Sequence, residues 1–170
     1  NFIELRTLVR LANSAAVPLT LAMGLTFIIL MGSIDLSVEG TLSVSALVVV
    51  LLAANDSNGN DYGWWAVLAA IVAGTAMGFV SGLVQTMLRI PSFMATLGMW
   101  FIGLGLSVYM LGGSAIRLND ASSRDLALHR FLGLPVAVWV AVAAFLRAAV
   151  IQYLTKLWRH ILAIGGNEDV

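Results

Sequence analysis

The 170-residue chain has no cysteine, and only 11% of its residues are charged. Without cysteine there is no disulfide framework, no thiolate metal site and no cysteine nucleophile. The two histidines, His129 and His160, lie far apart, and neither has a partner at metal-ligand spacing. The formal net charge is zero, so the numbers of acidic and basic residues indicate no basic surface for nucleic acid. We therefore expect no metal site, no cofactor and no nucleic-acid partner.

Motifs of catalysis are missing as well. The chain contains no Gly-x-x-x-x-Gly-Lys-[Ser/Thr] sequence, so it is not predicted to carry nucleotide chemistry. No Ser-His-Asp set is apparent, and the glycines at 103, 105, 112 and 113 lie in an apolar segment and at its end. We interpret those glycines as packing or turn residues. An intramembrane enzyme would need a nucleophile and a base, and no such pair is visible.

Hydrophobic residues, in contrast, make up 60% of the chain, and the mean hydropathy is +0.95. Soluble domains carry about 25% charged residues, so the composition predicts an all-α, polytopic transmembrane helix bundle. Residues 1–14 have the spacing of an amphipathic helix at the membrane interface. About five spans follow, at roughly 15–32, 40–54, 64–88, 92–111 and 134–154, the second just under the ~17-residue limit for crossing. The lipid bilayer is therefore a predicted partner.

Basic residues in short loops predict the orientation of these spans. The loop at Arg89 and the segment from Lys156 to Arg159 lie on the same side of the membrane by span count, so we place both in the cytoplasm. The polar segment 55–63 has no Lys or Arg and falls outside. The segments 114–132 and 1–14 also fall outside by span count, although both are basic and the preference of Lys and Arg for the cytoplasmic side would place them inside.

The apolar run that ends at Met31 is followed by a break at Gly32-Ser33 and then by Asp35, Ser37 and Glu39. A carboxylate at bilayer depth is costly, so it usually faces protein, a cavity or the membrane surface. Asp35 or Ser37 can cap the orphan amides of the next helix, and we favour this structural interpretation. The alternative is an ion-coupled secondary transporter that uses Asp35 at a broken helix as a proton or sodium site.

Small residues recur at every fourth position of the third predicted span: Ala66, Ala70, Gly74, Gly78 and Gly82. Helices associate in lipid by close backbone approach, which such a stripe permits. We interpret the stripe as a packing face within one subunit rather than as a dimer motif.

Three ordered stretches carry a family resemblance: residues 32–38 (Gly-Ser-Ile-Asp-Leu-Ser-Val), 91–98 (Pro-Ser-Phe-Met-Ala-Thr-Leu-Gly) and 155–168, which contains Ala-Ile-Gly-Gly-Asn. They resemble motifs of the membrane permeases of ATP-binding-cassette importers for simple sugars, of the ribose type. The resemblance covers essentially the whole chain. Ser33, Glu39 and Trp158 stand where that family usually has glycine.

The resemblance implies a permease subunit that forms the translocation path for a simple sugar in the inner membrane. It implies three partners: a cytoplasmic ATPase that hydrolyses the ATP, a periplasmic sugar-binding protein and a second permease copy. The chain itself is then not an enzyme. Family members are considerably longer, so residues 1–170 are expected to be one transmembrane permease domain, the N-terminal to middle part of a longer permease.

The resemblance also places the site residues. We assign the helix break and the substrate path to Asp35, Ser37, Phe93 and Thr96. We assign contact with the ATPase to the segment Gly165, Gly166, Asn167 and Glu168. There the two glycines permit a sharp turn, and Asn167 is a good first residue for a docking helix.

Overall fold

The computed structural model describes residues 4–113, 116–120 and 129–166. The described residues form six helices and one short hairpin. These are α1 (Leu5–Leu30), α2 (Val38–Leu52), α3 (Trp64–Leu88), α4 (Ser92–Leu111), β1 (Arg130–Phe131), β2 (Leu134–Pro135), α5 (Val136–Leu154) and α6 (Leu157–Gly166). The chain divides into two compact units. Unit 1 contains Asn1–Ser33 and Leu126–Val170, and unit 2 contains Ile34–Asp125.

Four of the described helices, α1, α3, α4 and α5, are long and apolar enough to cross a membrane. The remaining predicted span is α2, whose 15 residues extend about 22 Å, less than the ~30 Å hydrocarbon core of a bilayer. Large apolar side chains cover the outer faces of these helices, as membrane-facing surfaces require. The prediction of an all-α, polytopic helix bundle is confirmed.

The predicted separation of an interfacial helix 1–14 from a span beginning near residue 15 is wrong. Helix α1 runs unbroken from Leu5 to Leu30 and passes through Asn13, Ser14 and Pro18. A proline inside a membrane helix is tolerated because neighbouring groups and small local adjustments satisfy the freed backbone. The apolar residues on both sides of Pro18 therefore continue the helix rather than end it.

The boundaries around α4 lie where backbone chemistry predicts them. Helix α3 ends at Leu88, and Arg89 adopts a left-handed conformation with φ of 50°. Pro91, in an extended conformation, precedes the first turn of α4. Gly112 ends α4 with φ of 61°, which glycine adopts without a steric penalty.

In unit 2, α2 packs against both α3 and α4. On α3, Ala66 and Ala70 are buried, and the Ser45 hydroxyl of α2 donates to the Ala70 carbonyl at 3.2 Å. A Cβ atom at Gly74 would lie 2.7 Å from the Ser45 oxygen. The predicted packing stripe is therefore used in its first half, by residues 66, 70 and 74.

The second half of that stripe differs from the prediction. A Cβ atom at Gly78 or at Gly82 would meet no described atom within 4 Å. Neither glycine is a packing residue of the described chain.

Asparagines organise the polar segment that follows α2. The Asn55 side chain donates to the carbonyls of Val50 and Ala53 and accepts from the amides of Ser57 and Asn58. It thereby satisfies carbonyls that the end of α2 leaves without helical partners. The Asn119 amide then donates to the Ala54 carbonyl at 2.8 Å, which joins segment 116–120 to this end of unit 2.

In unit 1, α5 packs against α1, and the β1–β2 hairpin leads into α5. Leu132 and Gly133 both have positive φ, 52° and 82°, as a two-residue hairpin turn of the primed type requires. The Trp139 indole N–H donates to the Phe131 carbonyl at 3.0 Å, which fixes the hairpin on the first turn of α5.

Candidate site at the break before helix α2

Between α1 and α2 the chain is not helical, and its backbone groups find partners on α4. The Ile34 amide donates to the Ser92 hydroxyl oxygen at 3.0 Å, and the Thr96 hydroxyl donates to the Ile34 carbonyl at 3.2 Å. Two side chains from the first turns of α4 thus satisfy both polar backbone groups of one residue. Irregular backbone at membrane depth needs such internal partners.

Asp35 stabilises the approach to α2. One oxygen of its carboxylate accepts from the Ser37 amide at 2.7 Å and from the Ser37 hydroxyl at 2.6 Å. Ser37 is buried, and its carbonyl accepts the amide of Thr41 in the first turn of α2 at 2.8 Å. The predicted capping of α2 amides by Asp35 or Ser37 is not seen, because Ser37 is the N-cap residue and no side chain makes a cap hydrogen bond there. The Asp35 carboxylate instead orders Ser37, the residue that precedes the helix.

Three of the four residues assigned to the break and the substrate path are brought together around Ile34. Asp35 and Ser37 follow it directly, and the buried Thr96 bonds to its carbonyl. Phe93 differs, because its side chain is 43% exposed and only its carbonyl takes part, as an acceptor for Thr96 at 3.3 Å.

Sequence reasoning did not find a contact beside the break, between Glu39 and Trp100. The Trp100 indole N–H donates to one oxygen of the Glu39 carboxylate at 3.0 Å. Next to this pair, α2 and α4 touch through their backbones. A Cβ atom at Gly40 would lie 2.8 Å from both the Cα and the carbonyl oxygen of Trp100, and one at Gly103 would lie 2.7 Å from Gly40 Cα. The two glycines therefore hold Glu39 beside the indole.

The structure describes only the first part of the predicted coupling segment. Gly165 and Gly166 are the last two residues of α6, and the predicted turn into Asn167 lies outside the described residues. Asn167 and Glu168 lie outside the described residues. Gly165 is needed for close approach, because a Cβ atom there would collide with the Leu30 carbonyl at the end of α1. Gly166 has open space around its Cα.

The described residues contain no group of three His, Asp or Glu side chains that could hold a metal ion. The site around Ile34 offers hydroxyl groups and one carboxylate, which are hydrogen-bonding groups. Among the described residues these groups bond to the chain's own backbone and to one another.

Comparison with known sequences gives the family. The profile of the family described as the permease component of the branched-chain amino acid transport system matches residues 7–170. The chain belongs to this permease family. Members of this family are transport components, which confirms the prediction that the chain is not an enzyme. The family and the four membrane-length helices together confirm a multi-pass membrane protein.

Several curated relatives of this permease carry more specific names. The ribose import permease protein RbsC of Escherichia coli strain K12 is 32% identical over 172 residues, which cover 99% of this chain and 52% of the relative. The L-arabinose transporter permease protein AraH of Azospirillum brasilense is 27% identical over 99% of this chain and 49% of the relative. The autoinducer 2 import system permease protein LsrC of Salmonella paratyphi B is 30% identical over 98% of this chain and 47% of the relative.

The permease chain spans about half the length of the curated relatives that it matches. The resemblance to ribose-type import permeases is confirmed by these similarities. No solved structure matches this permease.

Proposed function

We propose that this permease forms part of the translocation path of an ATP-binding-cassette importer for a simple sugar, in the inner membrane. The observation that carries the proposal is the similarity to the ribose import permease, which extends over 99% of the chain. The likeness to an L-arabinose permease over the same length supports a sugar rather than an amino acid as the cargo.

The break before α2 supports a role in the path. Helix α2 is too short to cross the hydrocarbon core, so irregular backbone at one of its ends lies at membrane depth. Such backbone occurs where it is buried in protein or lines a water-filled cavity. Here Asp35 and Thr96 hold the shape of the break, and the exposed Phe93 side chain on α4 offers an apolar face to the cargo.

The partners of this importer are a cytoplasmic ATPase, a periplasmic sugar-binding protein and a second permease copy. Hydrolysis of ATP takes place on the separate ATPase. Coupling to it runs through the end of α6 and the segment to Glu168. The support for this assignment is the close approach of Gly165 to the Leu30 carbonyl at the end of α1. A displacement of α6 by the ATPase would therefore be transmitted directly to α1.

Reconstitution tests the proposal. The full-length permease, with its ATPase and binding protein, is placed in proteoliposomes, and uptake of labelled ribose and arabinose is measured. We expect sugar uptake that requires the binding protein and ATP, and that is lost with an ATPase unable to hydrolyse ATP.

Uptake that a sodium or proton gradient drives in the absence of the ATPase would overturn the proposal in favour of a secondary transporter. Uptake of branched-chain amino acids in place of sugars would overturn the assignment of the cargo.

A further inference from the structure

Unit 1 contains a pocket that is lined by three arginines. The pocket has a volume of about 420 Å³, within the usual range of ligand sites. Its described lining residues are Leu5, Arg6, Val9, Arg10, Arg130 and Gly133, all of which belong to unit 1. Three guanidinium groups around one pocket repel each other, and an anion between them would relieve that repulsion.

Two elements that pack together hold the arginines in place. Arg6 and Arg10 are one turn apart on α1, so their side chains leave the same face of the helix. Arg130 lies on β1 and pairs with Pro135 of β2, which packs against α1. The folding of unit 1 therefore brings Arg130 to the first turns of α1, although 120 positions separate it from Arg10.

Acidic residues do not balance this charge within the described part of unit 1. That part, residues 4–33 and 129–166, contains one acidic residue, Glu4, against five arginines and one lysine. Three positive charges exceed one negative charge, so the pocket keeps a net positive charge whatever Glu4 contacts. A Cβ atom at Gly133 would meet no described atom within 4 Å, so this wall of the pocket leaves room for a ligand.

The pocket lies at the depth of the lipid phosphate groups. Helix α1 has 26 residues and extends about 39 Å, more than the ~30 Å hydrocarbon core. Arg10 precedes Leu30, the last residue of α1, by 20 residues or about 30 Å, and Arg6 lies about 6 Å beyond Arg10. A hydrocarbon core around the last 20 residues of α1 leaves both arginines in the headgroup region. The Phe131 and Trp139 rings, with centroids 5.7 Å apart, suit the same level, where aromatic residues are enriched.

Apolar side chains beside the arginines favour a lipid over a soluble anion. Leu5 lines the pocket, and Leu132 lies at the hairpin turn next to Gly133. Unit 1 leaves both side chains uncovered, at 77% exposure each. An acyl chain would cover such side chains, whereas a soluble phosphate would leave them in contact with water.

We propose that this arginine pocket binds the phosphate group of an anionic phospholipid. Guanidinium groups bind phosphate oxygens through paired, charge-assisted hydrogen bonds. A zwitterionic headgroup carries its own cation, which the arginines repel, so the site prefers a lipid with a net negative charge. The site also gives a role to basic residues of segments 1–14 and 114–132, which span count places outside, where arginine is uncommon.

Lipid binding by the purified full-length permease tests the proposal. The delipidated protein in detergent is titrated with three probes: short-chain phosphatidylglycerol, phosphatidylcholine with the same chains, and glycerol phosphate, which has no acyl chain. Bound molecules are counted by native mass spectrometry. We expect phosphatidylglycerol to bind at least about tenfold more tightly than either of the other two.

Variants locate the bound lipid. Each of Arg6→Gln and Arg10→Gln should weaken phosphatidylglycerol binding about fivefold, and the double variant more. Arg10→Lys should lose less, because it keeps the charge but not the paired hydrogen bonds. Arg117→Gln is the matched control, since Arg117 is exposed and is not a described lining residue of the pocket. The control should bind the lipid as the parent does.

Thermal unfolding gives an independent measurement. A ligand that binds only the folded protein raises its melting temperature. Phosphatidylglycerol should therefore raise the melting temperature of the parent and of Arg117→Gln more than that of the double variant. Because each variant is compared with itself without lipid, a change in its basal stability does not alter the result.

The opposite outcomes are distinct. Equal affinity of the parent and the double variant for phosphatidylglycerol would overturn the site. Equal affinity of the parent for phosphatidylcholine would overturn the preference for an anionic lipid. Equal affinity for glycerol phosphate would assign the pocket to a soluble phosphate in place of a lipid. A double variant that binds lipid normally but no longer associates with the sugar-binding protein would assign the arginines to a protein contact and overturn the proposal.

Discussion

Replacing Gly103 with alanine would place a methyl group where α4 touches the backbone of α2. The new Cβ atom would lie 2.6 Å from the carbonyl carbon of Gly40 and 2.7 Å from its Cα, whereas ordinary contact begins at 3.4 Å. The obstacle is backbone, which cannot rotate away. The two helices must therefore separate by roughly 1 Å, a gap that forfeits a quarter to a half of the attraction of each nearby contact.

Overpacking of this kind costs about 1–3 kcal/mol. Alanine also stabilises a helix interior relative to glycine by about 0.5–1 kcal/mol. We therefore expect Gly103→Ala to lower the free energy of unfolding by up to about 2.5 kcal/mol. Gly105→Ala is the matched control on the same helix, because a Cβ atom at Gly105 meets no described atom within 4 Å. The control should equal or exceed the stability of the parent.

The assay is the unfolding of the purified full-length protein in mixed micelles, followed by circular dichroism as the fraction of denaturing detergent rises. Flotation of membranes from the expressing cells checks that both variants insert. If Gly103→Ala unfolds at the same detergent fraction as Gly105→Ala, the backbone contact between α2 and α4 does not exist as described.

Three further predictions concern the break, the end of α6 and the loop after α2. Asp35→Asn keeps an acceptor for Ser37 and should be close to the parent, whereas Asp35→Leu should cost about 0.5–2 kcal/mol in thermal unfolding; loss of uptake in a well-folded Asn variant would instead indicate an ion site. Gly165→Ala should lower the melting temperature, since its methyl group collides with the end of α1, and Gly166→Ala should not; equal melting temperatures would refute the contact. Asn55→Ala removes the side-chain donor of the Ala53 carbonyl, at about 1–3 kcal/mol, while Val50 keeps the donor Asn58, and should speed proteolysis within segment 55–63; an unchanged cleavage rate would count against this capping role.

The helix ends that sequence predicted are those set by local backbone chemistry. Pro91 disfavours helix at the residue before it, and Gly112 adopts the left-handed conformation that ends α4. Asn13 and Ser14 have good capping chemistry as well, but they lie inside α1 because the surrounding apolar residues gain more from a continuous helix. A residue with capping chemistry therefore does not by itself start a helix.

The candidate site shows the same division. The hydrogen bonds that Ser37 donates to Asp35 join two residues close in sequence, so a local role for Asp35 was predictable, although it orders Ser37 and does not cap the amides of α2. The bond from Thr96 to Ile34 joins residues 62 positions apart, and the contact of Gly40 with Gly103 also depends on how two helices cross. Periodicity within one helix, as in the stripe on α3, carries no information about which neighbour each position will meet.

The order of the two units along the chain has a consequence for how the protein forms during synthesis. Unit 2 is one continuous stretch, whereas unit 1 joins the first 33 residues to residues 126–170. Helix α1 therefore waits until α5, about 100 residues later, has left the ribosome, roughly 5–20 s at ordinary translation rates. During that interval the three helices of unit 2 can assemble through contacts close in sequence, which form fastest. Unit 2 is thus expected to fold first, and unit 1 can be completed only when α5 arrives.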